Sequence, residues 1–254
     1  MKAMIFAAGI GSRLRPFTLS HPKALVEVGG VPMLGRVIGR LKEVGVTRAV
    51  VNVHHFADQI VDYLRDNGNF GLDITVSDES ARLLDTGGGL LKAATALEGD
   101  EPVLLHNADI LTDFPIAPML EQHVATRADV TLLADTRRSS RCLYFDRDGR
   151  MRGWGNLRDG VTRPAALDAS SLTPLAFGGV HIITPSALMP VLRKFARNAG
   201  EVFSITDFYI AACSCLRINA HTPAGEYRWV DVGRIDTLAT ACDIFAEKSC
   251  GIKR

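Results

Sequence analysis

Apolar and polar positions along this 254-residue chain follow two alternating periods, and the switches between them mark its elements. Short apolar runs recur at Lys2–Ala8, Ala49–Val53, Leu72–Ser77 and Pro102–His106. Runs of that length and bulk predict buried strands. Between them, apolar residues fall on one helical face. Leu34, Val37, Ile38 and Leu41 do so in a helix predicted over Pro32–Val44, and Ile60, Val61 and Leu64 in one over Ala57–Asn67. Pro32 suits a first helical turn and Gly45 a helix end. Gly87-Gly88-Gly89 leads into a third helix that reaches Leu97. Repeated β-α units predict a Rossmann-like, mostly parallel α/β sheet flanked by helices. In such sheets ligands bind beyond the carboxyl ends of the strands. Gly9, the Thr86–Gly89 stretch and Asp109 all follow strands, so one rim should hold them.

The second half is less regular. A helix over Pro118–Arg127 and a strand over Val130–Ala134 are followed by a polar, turn-rich stretch, Ser139–Pro174. Leu143–Phe145 and Met151–Trp154 suggest a hairpin there, a small β excursion from the main sheet. The core resumes with a strand at Ala176–Ile183 and helices at Ser186–Arg197 and Ile205–Cys215. Strands at Leu216–Ala220 and Tyr227–Val230 precede a closing helix, Ile235–Lys248. No repeat or linker divides the chain, so residues 1–254 read as one domain, with halves at 1–135 and 136–254.

Composition narrows the setting. Hydrophobic residues make up 47%, and 29 Lys and Arg balance 28 Asp and Glu for a net charge of +1. Neither a nucleic-acid-binding tail nor a polybasic membrane patch is present. The longest apolar runs fall far short of a membrane span, and the chain enters a strand at once without a leader pattern. Cys142, Cys213, Cys215, Cys242 and Cys250 form no C-x-x-C pair, and no Cys/His cluster has zinc spacing. Reduced thiols in a cytoplasmic protein are the expectation. His54-His55 should belong to a loop after a strand.

The chemistry concentrates in Met4–Leu25. An apolar run breaks into Gly9-Ile10-Gly11-Ser12, and Arg13, Arg15 and Lys23 follow in one loop. Glycines there let backbone N–H groups approach a ligand, and three cations suit a polyphosphate. A solvated basic loop is the plain alternative. The Rossmann fingerprint fails, because Leu14 stands where its third glycine belongs. A P-loop fails as well, lacking Gly-Lys-Ser/Thr. Asp109 ends the run VLLHNAD, and Asp231 sits in Trp229-Val230-Asp231-Val232-Gly233. Each could be a metal ligand or a helix-cap or turn aspartate.

The pattern G-x-G-S-R-L-x-P-x-T with Pro22-Lys23 downstream resembles the signature of sugar-1-phosphate nucleotidyltransferases, and N-A-D at 107–109 and W-V-D-V-G resemble two further family elements. The resemblance spans nearly the whole chain. It implies the nucleotide-diphospho-sugar transferase fold, with the β excursion covering the acceptor. It also implies a shared catalytic Mg²⁺ on Asp109 and Asp231, Arg13 on the β and γ phosphates, and Lys23 near the α-phosphate. Gly11 and Ser12 would complete the phosphate cradle, and Ala8 and Gly9 would flank the base. Asp85, Thr86, Gly87 and Gly88 would form a base-binding loop.

The acid-Thr-Gly-Gly-Gly form looks like the branch that uses UTP with N-acetylmuramic acid 1-phosphate. Guanylyl transfer to heptose or mannose 1-phosphate, cytidylyl transfer to a small phosphorylated acceptor, and a non-catalytic regulator on the same fold are the alternatives. The regulator is disfavoured because both aspartates, the arginine and the lysine are present. Family members commonly hold the sugar phosphate with the lysine of a Glu-Lys-Pro element, which is missing here. Gly153-Trp154-Gly155-Asn156 occupies its region, and the phosphate-holding residue is left unassigned. Asn156, Gly178 and Asp207 are the sugar-side candidates, with Asp207 equally suited to cap a helix. The C-terminal β-helix of bifunctional relatives has no counterpart, so acetyl transfer is not expected.

Overall fold

A computed structural model describes residues 1–245. The elements run β1 (Lys2–Phe6), β2 (Glu27–Val28), β3 (Val31–Pro32), α1 (Met33–Glu43), β4 (Arg48–Val53), α2 (Ala57–Asp66), β5 (Asp73–Asp78), α3 (Asp85–Lys92) and α4 (Ala94–Leu97). They continue with β6 (Val103–Asn107), β7 (Ile110–Thr112), α5 (Ile116–Thr126), β8 (Val130–Asp135), β9 (Arg141–Phe145), β10 (Met151–Asn156) and β11 (Val161–Arg163). The remainder is β12 (Thr173–Ile183), α6 (Pro185–Ala199), α7 (Ile205–Ala212), β13 (Ile218–His221), β14 (Trp229–Asp231) and α8 (Ile235–Phe245). The end of the predicted closing helix and Cys250 lie outside the described residues.

The alternation of apolar residues along β1 explains the layering. Met4 and Phe6 enter one core cluster, with Leu90, Leu105 and Leu132. Ala3, Ile5 and Ala7 enter the other, with Leu34, Ile38 and Ile60. Successive strand side chains point to opposite faces, and a sheet covered on both faces needs apolar residues at every position. In α2, Ile60 and Leu64 are buried as predicted, but Val61 is exposed.

Strands β5, β4, β1 and β6 are parallel, with β1 between β4 and β6. The chain adds strands first on one side of β1 and then on the other. That reversal opens the crevice at the carboxyl ends of β1 and β6. Beyond β6 the sheet changes character, since β12 runs antiparallel to both β6 and β8. The first residues of β12, Thr173–Leu175, pair instead with β9, which carries β10 and β11. The predicted excursion is therefore an antiparallel extension of the main sheet, joined through β12. A register shift between Phe177 and His181, at Gly178-Gly179, lets one strand serve both parts. Isolated apolar runs do not reveal such sharing.

Buried histidines make the fold acid-sensitive, among them His123, pushed down to about 4 by burial, and two in the sheet. His106 and His181 lie in the sheet centre, and burial pushes their pKa values down to about 4 and about 3. Both stay neutral when folded yet protonate below about 6.5 when unfolded. Stability is therefore complete above pH 6.5 and falls as pH drops toward 4, by about 1.4 kcal/mol per pH unit for each histidine. Urea denaturation between pH 7 and pH 4.5 should show this decline, and His181→Phe should reduce its slope. An unchanged slope in that variant would remove His181 as a source.

Candidate active site

The glycine turn after β1 is built by its own loop. Gly11 has φ of 67°, a left-handed conformation natural to glycine. A Cβ there would come within 2.8 Å of Lys23 Cβ. Its carbonyl accepts the Leu14 N–H at 2.9 Å and the hydroxyl of buried Thr18 at 2.9 Å. The predicted loop thus has internal order: three short 3-10 turns (Ser12–Leu14, Phe17–Leu19, Lys23–Leu25) and the β2–β3 ladder. Gly9 behaves differently, with open space where its Cβ would be.

Asp109 and Asp231 are 122 positions apart in sequence but adjacent in space. Strand β14 pairs antiparallel with β7, Asp231 opposite Ile110. The Val232 N–H donates to the Asp109 carbonyl at 2.8 Å. Lys23 forms an ion pair with Asp109. Arg13 is near as well: a Cβ on Gly233 would meet Asp231 Oδ1 at 2.7 Å and Arg13 Nη2 at 2.9 Å, and the Arg13 charge acts on Asp231. The Asp109, Asp231, Lys23 and Arg13 groups therefore converge on one rim.

Burial raises the pKa of Asp231, and the neighbouring Asp109 charge raises it further, against Lys23, Arg13 and Arg137. Its Oδ1 is buried without a hydrogen-bond partner. A buried acceptor left unsatisfied is costly. Two carboxylates pressed together, one with an orphaned oxygen, suit a divalent cation that takes further ligands from phosphate and water. Among the described residues no group of three or more His, Cys, Asp or Glu could hold a metal, so the fit is to a two-carboxylate site.

A cavity of about 500 Å³ runs from this cluster, lined by Ala8, Gly9, Lys23, Asp85, Thr86 and Asp109 among others. Its far wall rests on a buried polar chain that sequence reasoning missed. Asn52 accepts the Ala7 N–H at 2.7 Å and donates to Glu79 at 2.7 Å. Glu79 in turn accepts the Leu84 N–H at 3.0 Å. The chain ties the end of β1 to the Asp85 loop. Its only signal in sequence is a polar residue inside the run Arg48–Val53.

The triple glycine requires a correction. A base-binding loop, as the resemblance implies, would need free backbone groups at Gly87 and Gly88, but both N–H groups donate to the Phe203 carbonyl, at 2.9 and 3.2 Å. A Cβ on Gly87 would meet the Phe203 ring at 2.4 Å, and one on Gly88 the Glu201 carbonyl at 2.1 Å. These glycines dock α3 against residues 201–203, and Asp85 and Thr86 are left to line the cavity. Asp85 holds a left-handed φ of 59° and accepts the Thr86 N–H at 2.5 Å.

On the sugar side, Asn156 and Asp207 line a cavity of about 610 Å³ under β9 and β10, together with Arg141, Trp154, Arg163 and Ser139. Asp207 pairs with Arg163 at 2.6 Å, whereas Ser204 caps α7 by accepting the Thr206 N–H. Gly178 is needed for packing, because its Cβ would strike Leu133 at 2.7 Å. Gly179 is the member of the pair that lines a cavity. His54 lies after β4, Nδ1 bonded to the Glu79 carbonyl at 2.7 Å, as a loop residue should. Cys142, Cys213, Cys215 and Cys242 are free thiols, and no helix of the described residues is long and apolar enough to cross a membrane.

This sheet, reversing about β1 with acids and cations at its rim, defines a phosphate-handling α/β protein. Residues 2–147 match the model of the nucleotidyl transferase family, and the chain belongs to it. An N-acetylmuramate α-1-phosphate uridylyltransferase from Caulobacter vibrioides is 37% identical over 80% of this chain and 87% of its own length. One from Neisseria meningitidis is 33% identical over 95% of this chain and 96% of its own. HddC from Yersinia pseudotuberculosis, solved with GMP-PN, superposes with a TM-score of 0.74, covering 96% of this chain and 99% of its own at 19% identity. That likeness concerns the fold.

Proposed function

We propose that the chain transfers a nucleotidyl group from an NTP to a sugar 1-phosphate, releasing pyrophosphate. The favoured pair is UTP and N-acetylmuramic acid α-1-phosphate, and the setting is cytoplasmic. The observation that supports this most is the β7–β14 pairing, which sets Asp109 and Asp231 side by side next to Lys23 and Arg13. The names of the two uridylyltransferases support the choice of pair.

In this reading residues 1–135 bind the nucleotide and residues 136–254 the acceptor. The base lies in the cavity between Ala8, Gly9, Asp85 and Thr86, whose floor Gly87 and Gly88 hold in place. Arg13 grips the β and γ phosphates with a planar fork suited to them, and Gly11 and Ser12 add N–H groups. Asp109 and Asp231 would hold Mg²⁺. When bound, Mg²⁺ supplies neutralisation of the opposed negative charges. An oxygen of the sugar phosphate attacks the α-phosphorus, a new P–O bond forms, and the bond to pyrophosphate breaks. That oxygen is already ionised at neutral pH, so alignment and charge cancellation do the work without a general base. Lys23, now paired with Asp109, stands where the α-phosphate charge redistributes.

Pyrophosphate release across four NTPs and a panel of sugar 1-phosphates, with Mg²⁺ and with EDTA, tests the reading. The highest rate is expected with UTP and N-acetylmuramic acid α-1-phosphate, and EDTA should abolish it. Preference for GTP with mannose or heptose 1-phosphate would replace the pair. Activity persisting in EDTA would remove the metal. No release with any combination would refute the transfer itself.

A further inference from the structure

Asn107 and Asp109 also line a second cavity, of about 360 Å³, shared with Asp231, Gly179, Trp229 and Arg137. Arg137 lies in a polar run, 136–140, between β8 and β9. The structure holds it firmly. One guanidinium nitrogen, Nη2, donates to the Phe177 carbonyl. The guanidinium lies over the Trp229 ring, 3.8 Å from its centroid. Trp229 is itself fixed by its indole N–H, which donates to the Gly178 carbonyl at 2.9 Å. The remaining terminal nitrogen, Nη1, is buried and has no hydrogen-bond partner.

A buried N–H group on a cation is expensive to leave unpaired. Asp231 is near enough to feel the Arg137 charge, yet no ion pair joins them. A fixed guanidinium with an unpaired nitrogen, lining a small cavity with the two acids, offers a place for an anion. Stacking on Trp229 orients the fork in advance, so less freedom is lost when it binds.

We propose that Arg137, with exposed Arg138 beside it, forms the subsite for the phosphate monoester of the acceptor. The inference rests on the transfer reading above. Arg137 would neutralise the acceptor phosphate and bring its attacking oxygen alongside the Asp109–Asp231 rim. Phe177 and Trp229, which share the cavity, would face the sugar ring.

Steady-state kinetics with UTP and N-acetylmuramic acid α-1-phosphate, paired with calorimetric titration of that sugar phosphate and of unphosphorylated N-acetylmuramic acid, test this. Arg137→Gln should raise KM for the sugar phosphate about 10- to 100-fold, the loss expected for a charge-assisted contact. KM for UTP should stay within about twofold, because only acceptor binding is touched. Arg137→Lys should recover part of the loss, since charge returns without the fork. Affinity for the unphosphorylated sugar should not change. Arg193→Ala, on exposed α6 surface, serves as the control. A drop in kcat and Tm with KM for the sugar phosphate unchanged would assign Arg137 a structural role and overturn the subsite. Equal weakening toward the unphosphorylated sugar would overturn it too. If the wild-type chain turns over no pair of substrates, the transfer reading falls, and calorimetry alone decides the subsite. Sugar phosphate binding lost in Arg137→Gln would keep the subsite; binding equal to wild type, or none in wild type, would end it.

Discussion

Asp231→Asn and Asp109→Asn should each lower kcat at least about 10²-fold, the loss expected when a charge-stabilising group is removed from a site of this kind. The substitution keeps shape and removes charge. Asp231 sits partly buried beside Asp109 with one oxygen unpartnered. In the free protein its charge is a liability, so Asp231→Asn should leave Tm unchanged or raise it while activity falls. Stability surrendered at a functional site has that signature. Asp109→Asn differs, because it also breaks the Lys23 ion pair, and a small loss of Tm should accompany its loss of rate. Turnover near wild type in either variant would remove that residue from the mechanism. A large fall in Tm for Asp231→Asn would show that its carboxylate serves the fold instead.

Arg13→Ala should lose a comparable factor, on the order of 10²-fold in kcat/KM for the NTP, as for loss of a clamp on the leaving group. The guanidinium lies against Gly233, close enough for its charge to act on Asp231, where a departing pyrophosphate would carry its charge. Arg15→Ala should lose far less. Both arginines are exposed and line neither cavity beside the acids, but Arg13, unlike Arg15, is close enough for its charge to act on Asp231. Stopped assays of pyrophosphate release with both variants separate the two. Equal losses would mean that the loop acts as a diffuse positive field, and a greater loss for Arg15→Ala would reverse the assignment.

Much of this was legible in the chain because local pattern and final position agree. Apolar runs ending in Ala8 and Asn107 become neighbouring parallel strands, so the residues after them share a rim. Periodic faces such as Leu34, Val37, Ile38 and Leu41 are buried as their spacing requires. The gaps arise where meaning depends on distant partners. Gly87 and Gly88 belong to a stretch that resembles a base-binding loop, yet residues 201–203 fill the space they leave. Nothing local to the loop signals that contact. Asn52 and Glu79 are ordinary polar residues until β1, β4 and the Asp85 loop meet around them. Nothing near Arg137 in the chain points to Trp229, nearly a hundred residues later, whose ring lies beneath its guanidinium. The antiparallel course of β12 escapes detection because strand periodicity carries no direction.

Anomalous scattering from crystals grown with UTP and Mn²⁺ in place of Mg²⁺ would examine the shared-ion site directly. One Mn²⁺ peak in contact with a carboxylate oxygen of both Asp109 and Asp231, and with a phosphate oxygen of the nucleotide, is expected. A peak held by only one of the two aspartates, or lying away from both, would contradict it.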